Sequence, residues 1–355
     1  MNSGISQIEI FIFFLTTMAE SAAKRPKCVI GTHNGKFHCD EVLACRLLTT
    51  LHEYQHAEIV RSRSPEKLDE CDIVVDVGGV YDPERHRYDH HQRSFNGTMN
   101  SINPKYPWTT KLSSAGLVYL HFGRRVIGQI IEEDEKSSVV DVIYKKVYEN
   151  FIEEIDAVDN GITQCDEKPR YRLSTTISSR VGFLNPPWNV KNLDERKQFD
   201  LAMELVGAEF EERVHSYHKI WLPARDLVKA SVEKRHEVDS SGEIIVLEQC
   251  GCPWKEHLYD LEDEMGIEGI IKFALFGDSN GAWRVQCVPE KSQSFSNRLS
   301  LKKEWCGHRD EELSRLSGIP GCVFVHANGF IGGNESREGA LKMAQETLYA
   351  ARKES

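Results

Sequence analysis

The chain has 355 residues, 40% apolar and 28% charged, with a formal net charge of −11. That length exceeds what one hydrophobic core usually organises, which points to two domains of ordinary globular composition. The negative balance excludes a protein that coats nucleic acid through bulk positive charge, while leaving room for a local basic track.

Residues 1–27 read as an N-terminal arm without order of its own. Its apolar run, residues 8–15, is too short to span a bilayer as a helix, and no Lys or Arg precedes it as a secretory signal requires. Met18 is an alternative start, and Lys24-Arg25-Pro26-Lys27 amounts to a weak nuclear signal at most. Ten cysteines without a C-x-x-C pair argue against a zinc ribbon or a disulfide scaffold, and for reduced thiols.

From Cys28 onward short apolar runs alternate with helical patterns, the signature of an α/β domain. The pattern predicts strands ending at Ile30 and over 58–61 and 73–77, with a helix over 41–51, spaced as parallel crossovers are. Further helices are expected over 112–122 and 139–158. Residues 192–235 read as long amphipathic helices connecting to a second domain, with Phe199, Leu201, Met203, Leu205, Phe210 and Val214 as their apolar stripe. Strands over 243–247, 270–276, 283–288 and 322–326 follow, then a helix over 336–352 opened by Ser336.

The chemistry concentrates in four acidic or His-bearing clusters, each beside a short apolar run. Asp76 follows Ile73-Val74-Val75, Asp89-His90-His91 lies just after it, the run from Gly31 to Glu41 carries His33, His38 and Asp40, and Asp156 and Asp159 sit near the end of a predicted helix. Ligands in open α/β sheets bind outside the carboxyl ends of strands, where His33, His38, Asp40 and Asp76 fall. A mixed nitrogen and oxygen site for two divalent metals results. Two such ions, about 3.5 to 4 Å apart, suit in-line phosphoryl displacement. Asp76 is read as the bridge, His33 and His38 as ligands of the first ion, and Asp40, His90 and either Asp156 or Asp159 as ligands of the second. Asp156 and Asp159, three apart, can share one helix face. Asp89 is placed to orient an imidazole, and His91 is free to touch a phosphoryl oxygen. Alternation points Cys39 away from His38 and Asp40. His121, His215 and His218 read as packing or surface residues. Arg61, Arg63, Arg85, Arg87 and Arg93 either guide a nucleic-acid backbone or pair with local acids.

Taken together, the run His33 to Glu41, Asp76-Val77-Gly78-Gly79, Tyr88 to Gln92, Asp156 to Gly161, Trp254 to Leu258 and Val325 to Gly333 resembles the melanocyte-proliferating-gene exonuclease family, a branch of the DHH phosphoesterase superfamily. The match covers nearly everything from Cys28 to Arg352. The resemblance implies a two-domain DHH-type α/β fold. A metal-binding catalytic domain with a mainly parallel sheet would occupy 28–191, a helical connector 192–235, and a smaller α/β substrate-binding domain 236–355. It further implies a manganese-dependent site between the domains, with Mg²⁺ or Zn²⁺ as alternatives, and 3' to 5' exonuclease action on single-stranded RNA in nucleus and mitochondrion. Residues implied to meet substrate are His326, Gly332, Gly333 and Asn334, the glycines as a turn that opens a helix toward phosphate. Two positions depart from relatives: His38 stands where most of the superfamily has Asp, and Asn334 where many have His.

Three functions follow. The first is a metal-dependent exonuclease on single-stranded RNA, with Trp254, Phe295 or Phe330 as stacking platforms. The second is a phosphohydrolase for nanoRNA, dinucleotides or pyrophosphate. The third is a non-catalytic binding protein held together by its metals. No membrane partner is expected.

Overall fold

Val29–Thr32 (β1) is nearly all buried and pairs in parallel with Glu58–Arg61 (β2) on one side and Ile73–Val75 (β3) on the other. Arg87–Tyr88 (β5) continues in parallel beyond β3, and Tyr81–Asp82 (β4) closes the sheet antiparallel to β5, in the order β2-β1-β3-β5-β4. Central parallel strands are covered on both faces and need apolar residues on both. Ile30, Ile73, Val74 and Val75 meet that need, each at most 1% exposed. The third strand stops at Val75, short of the expected Val77, because Asp76 takes a left-handed φ of 59° and the chain turns through Gly78 and Gly79.

The structure is a computed structural model and describes residues 28–290 and 296–354. The apolar run 8–15, Met18, the basic residues 24–27 and Phe295 lie outside the described residues. The chain divides into one compact unit up to His215 and another from Ser216. The division falls inside the 192–235 stretch, whose first part therefore packs with the first unit.

In the first unit the β1-to-β2 crossover is Cys39–Thr50 (α1), and its buried residues pack along Ser114–Ile131 (α2). The helix expected over 139–158 is Ser138–Val147 (α3), a π turn over Tyr148–Ile152, and Glu153–Asp159 (α4). Ile177–Leu184 (α5) and Glu195–Ser216 (α6) complete the unit. Helical spacing corrects the expected α6 stripe. Phe199, Phe210 and Val214 are buried, but Leu201 is 38% exposed, because residues two apart fan around a helix. Ala202, Val206 and Gly207 fill the buried face instead.

The second unit contains Leu222–Glu233 (α7), Ile244–Leu247 (β6), Trp254–Met265 (α8), Phe273–Gly277 (β7) and Trp283–Cys287 (β8). Asp310–Ser317 (α9), Cys322–Val325 (β9), Ile331–Asn334 (β10) and Arg337–Glu354 (α10) follow. Its sheet runs β6-β7-β8-β10-β9, with β6 and β7 parallel and the rest antiparallel. Alternation divides the two cores. Ile244 and Val246 join Met343, Ala344 and Leu348 of α10, whereas Ile245 and Leu247 join Val228, Val232, Leu258 and Leu261 of α7 and α8. Among the described residues no helix is long and apolar enough to cross a membrane.

Gly332 and Gly333, expected as a turn facing phosphate, instead lie inside β10, paired with β8 and β9. A Cβ at Gly332 would meet Leu301 and Met343, and one at Gly333 would meet Arg284 and Phe324. Close packing thus accounts for both glycines.

Candidate metal centre

The centre gathers at the carboxyl ends of β1 and β3, where the chain leaves the sheet and its side chains are freed from strand packing. Asp76 lies at the focus. His33 Nε2 is 3.3 Å from its Oδ2, His90 Nδ1 is 3.4 Å from its Oδ1, and the Ser114 hydroxyl donates to Oδ1 at 3.0 Å. A non-glycine residue at this left-handed φ costs on the order of 1 kcal/mol, and Asp tolerates it better than most. The turn aims the carboxylate between two imidazoles.

Four groupings of ligand atoms converge: Asp76 with Asp89, His90 and His91; His33 with His38 and Glu41; His38 with Asp40 and Asp159; and Asp40 with Glu41 and Asp76. His38, Asp40, Glu41 and Asp76 each belong to two of them. The cluster can hold metal ions, and the state of Asp40 shows that it fits them. Asp40 is fully buried and neither of its oxygens meets a donor. Burial, reinforced by Asp76, Asp159 and Glu41, pushes its carboxyl well above the usual range. A carboxylate among carboxylates with no donor is stabilised only by a shared proton or a cation. His33 shows the same demand: burial opposes its charge, yet hydrogen bonds to Asp76 and Glu41 prevail and lift it to about 10.

Asp159 and Asp156 separate cleanly. His90 Nε2 lies 2.9 Å from Asp159 Oδ2, and although burial works against the charge, His90 holds that carboxyl below its ordinary range. Asp156 is not in the cluster. Its Oδ1 accepts from Ser113 N at 2.9 Å, Ser113 Oγ at 2.7 Å and Gly116 N at 3.0 Å, and its Oδ2 accepts from the Tyr148 hydroxyl at 3.2 Å. It caps the first turn of α2, which in turn places Ser114 on Asp76. The expected shared face fails because Asp156 points into the packed interior and Asp159 to its edge.

Asp89 Oδ1 accepts from both His91 N at 3.1 Å and His91 Nδ1 at 2.7 Å, and its Oδ2 accepts from Gly79 N at 2.5 Å. Burial opposes, but these bonds keep its carboxyl below the usual range. The Asp89 bond in turn raises His91, whose side chain is 61% exposed. His91 also lines a cavity of about 320 Å³ together with His33, His38 and Asp76. Of the five arginines expected near the site, Arg63 alone lines it. Arg61 donates instead to the carbonyls of His33 and Gly35, at 3.2 and 2.6 Å, and Arg87 to those of Cys71 and Asp72.

Two contributors carry no assignment from sequence. Glu41 lies 3.0 Å from His33 Nε2 and accepts from His38 N at 2.9 Å, a capping-box position whose signal is an acidic third residue after the helix cap. Ser114 has no signal of its own. Cys39 is buried as the first residue of α1, so a helical start and not strand alternation directs it.

In the second unit the substrate residues expected from the resemblance disperse. Asn334 is fully buried, its amide donating to Pro320 O at 2.9 Å and its Oδ1 accepting from Ser336 N at 2.9 Å. It anchors the start of α10 and has no group left for a phosphate. Trp254 is in the core, so it is no stacking platform, whereas His326 is exposed with its ring 4.7 Å from that of Phe330. His121 bonds the Tyr81 hydroxyl at 2.9 Å, a packing role.

Known proteins are similar to this chain along most of their length. The MYG1 exonuclease of Bos taurus is 60% identical over 320 residues, covering 90% of this chain and 84% of that protein. That of Homo sapiens is 58% identical with 90% and 85% covered, and an MYG1 protein of Saccharomyces cerevisiae is 46% identical with 90% and 95% covered. A solved exopolyphosphatase-related protein from Bacteroides fragilis matches over 99% of this chain and 98% of its own, at a TM-score of 0.20 and 13% identity. A family model named for the MYG1 exonucleases, and described as "Uncharacterised protein family (UPF0160)", matches residues 29–348. With relatives this similar along nearly the whole chain, the protein belongs to that family.

Proposed function

We propose that the protein is a two-metal phosphodiesterase that removes nucleotides from single-stranded RNA in the 3' to 5' direction. The observation that carries this reading is Asp40, a fully buried carboxylate without a donor beside Asp76 and Asp159. The name exonuclease, borne by relatives at 58% and 60% identity, supplies the substrate class.

His33, His38, Asp40, Asp76, His90 and Asp159 would hold two divalent ions, Mn²⁺ first, with Mg²⁺ and Zn²⁺ as alternatives. Bound there, such ions neutralise phosphoryl oxygens and acidify a nucleophilic water. The chain's own residues do the rest. Glu41 and Ser114 fix His33 and Asp76. Asp89 holds the Nδ1 of His91, so that its Nε2 can hydrogen-bond a phosphoryl oxygen or protonate the leaving ribose oxygen. Arg63, lining the same cavity, presents a planar cation to the non-bridging oxygens.

The family resemblance supports three further parts of the proposal: a catalytic role for 28–191, a substrate-binding role for 236–355, and residence in nucleus and mitochondrion, which fractionation would test. The activity test adds Mn²⁺, Mg²⁺ or Zn²⁺ to metal-stripped protein on 5'-labelled RNA, with pyrophosphate and dinucleotides alongside. A metal-dependent ladder shortening from the 3' end is the expected result. Turnover confined to the small substrates would move the function to a small-molecule phosphohydrolase, and no turnover of any would leave a binding protein.

A further inference from the structure

Residues 168–191 carry Lys168, Arg170, Arg172, Arg180 and Lys191 and no Asp or Glu, in a chain whose net charge is −11. Among the described residues only Arg180 of these five has a carboxylate nearby, Glu209 at a loose 3.9 Å. The same stretch holds the three most exposed large apolar side chains of the described residues: Trp188 at 98%, Phe183 at 82% and Tyr171 at 75%. Rings left so far in water, interleaved with cations, mark a binding surface.

The stretch is joined to the metal centre. Ser178 and Gly182 of α5 line a cavity of about 360 Å³ together with Lys36, His38, Asp40 and Asp159, and Phe183 follows directly. Asn185 clamps the loop that carries His33 and His38. Its Oδ1 accepts from Phe37 N and its Nδ2 donates to Phe37 O, both at 2.8 Å.

We propose that residues 168–191 form a binding track for single-stranded nucleic acid, leading the strand end through this cavity to the metal centre. The proposal rests on the phosphodiesterase reading above and adds the surface that grips the strand. Cations take the phosphates, and Tyr171, Phe183 and Trp188 take the bases. Ring faces suit a single strand, because the bases of a duplex are already stacked on one another.

The test is fluorescence anisotropy of a labelled single-stranded oligoribonucleotide in EDTA, which separates binding from cleavage. Replacing Tyr171, Phe183 and Trp188 by Ala should weaken binding about tenfold per ring. Replacing Lys168, Arg170 and Arg172 by Gln should flatten the salt dependence by about 0.7 in log–log slope for each phosphate no longer neutralised. All six side chains are exposed, and unchanged melting temperatures would confirm intact folds. Wild-type affinity in both variants, or a wild type that binds no oligoribonucleotide, would overturn the track. So would a ring variant that changes only the oligomeric state, since the rings would then belong to a protein interface. Turnover of bis(p-nitrophenyl) phosphate by wild type with Mn²⁺ tests the chemistry separately. Turnover with undiminished binding in the variants sinks the track alone, and weakened binding without turnover keeps the track and sinks the chemistry.

Discussion

Asp159 Oδ2 lies 2.9 Å from His90 Nε2, while Asp156, one helical turn earlier on α4, sends its carboxylate into the first turn of α2. Two aspartates on one helix therefore have different duties. Asp159→Asn should weaken Mn²⁺ binding by about 100-fold, the scale on which metal-site partners act, with little change in melting temperature. Asp156→Asn should do the reverse, lowering stability and leaving most of the affinity. Calorimetric titration and thermal melts of both variants check this, and equal metal affinities would contradict it.

Burial pushes the Asp156 carboxyl up to about 7, against the stabilising bonds from Ser113, Tyr148 and Gly116. Its folded value is above the unfolded one, so the folded protein holds an extra proton between about pH 4 and pH 7. The contribution of this group is full below about pH 4 and is lost as pH rises through about 7. Wild-type stability should therefore fall relative to Asp156→Asn across that window. Denaturant melts at closely spaced pH values measure the difference, and a constant difference would refute the assignment.

Gly116 has no side chain because the Asp156 carboxylate occupies that space. Gly116→Ala should cost about 1 to 3 kcal/mol through overpacking, a fall of roughly 2 to 4 °C in melting temperature per kcal/mol. It should also weaken Mn²⁺ binding, since Ser114 and its bond to Asp76 would shift. An unperturbed melt would show that the helix start yields easily.

Arg61 and Arg63 differ in what they touch, and their variants should differ accordingly. Arg63 lines the cavity, so Arg63→Gln should lower kcat/KM about 10- to 100-fold if its charge meets substrate phosphate, with the melt unchanged. Arg61→Gln leaves the His33 and Gly35 carbonyls short of donors and separates the guanidinium from the Phe199 ring, 4.7 Å away. Stability should fall first in that variant. Steady-state kinetics beside thermal melts separate the two, and matching profiles would remove the distinction.

In the first unit β1, β2 and β3 and the helices α1, α2 and α3 are legible because they carry apolar patterns, whereas β4 and β5, two residues each, are too short to show one. His33, His38, Asp40 and Asp76 are legible as a cluster because they follow the apolar runs of β1 and β3, which end at the same edge of the sheet. What misleads is local. Gly332-Gly333 has the composition of a turn, and only cross-strand neighbours such as Arg284 and Phe324 explain glycine within a strand. Alternating apolar residues from Phe199 to Leu205 look like a stripe until helical spacing is imposed. Asp156 and Ser114 depend on how α2 and α4 pack, and no spacing in the sequence encodes that.

Asp76 gives the most direct test of the central claim. Asn is tolerated at a left-handed φ as Asp is, so Asp76→Asn changes the charge at the focus while keeping the turn. Free Mn²⁺ would be followed by electron paramagnetic resonance as metal-stripped protein is titrated. Wild type should take up about two ions per chain, and Asp76→Asn should lose both together, since this carboxylate would be shared by the two. Equal uptake by the two proteins, or none by wild type, would contradict a metal centre built around Asp76.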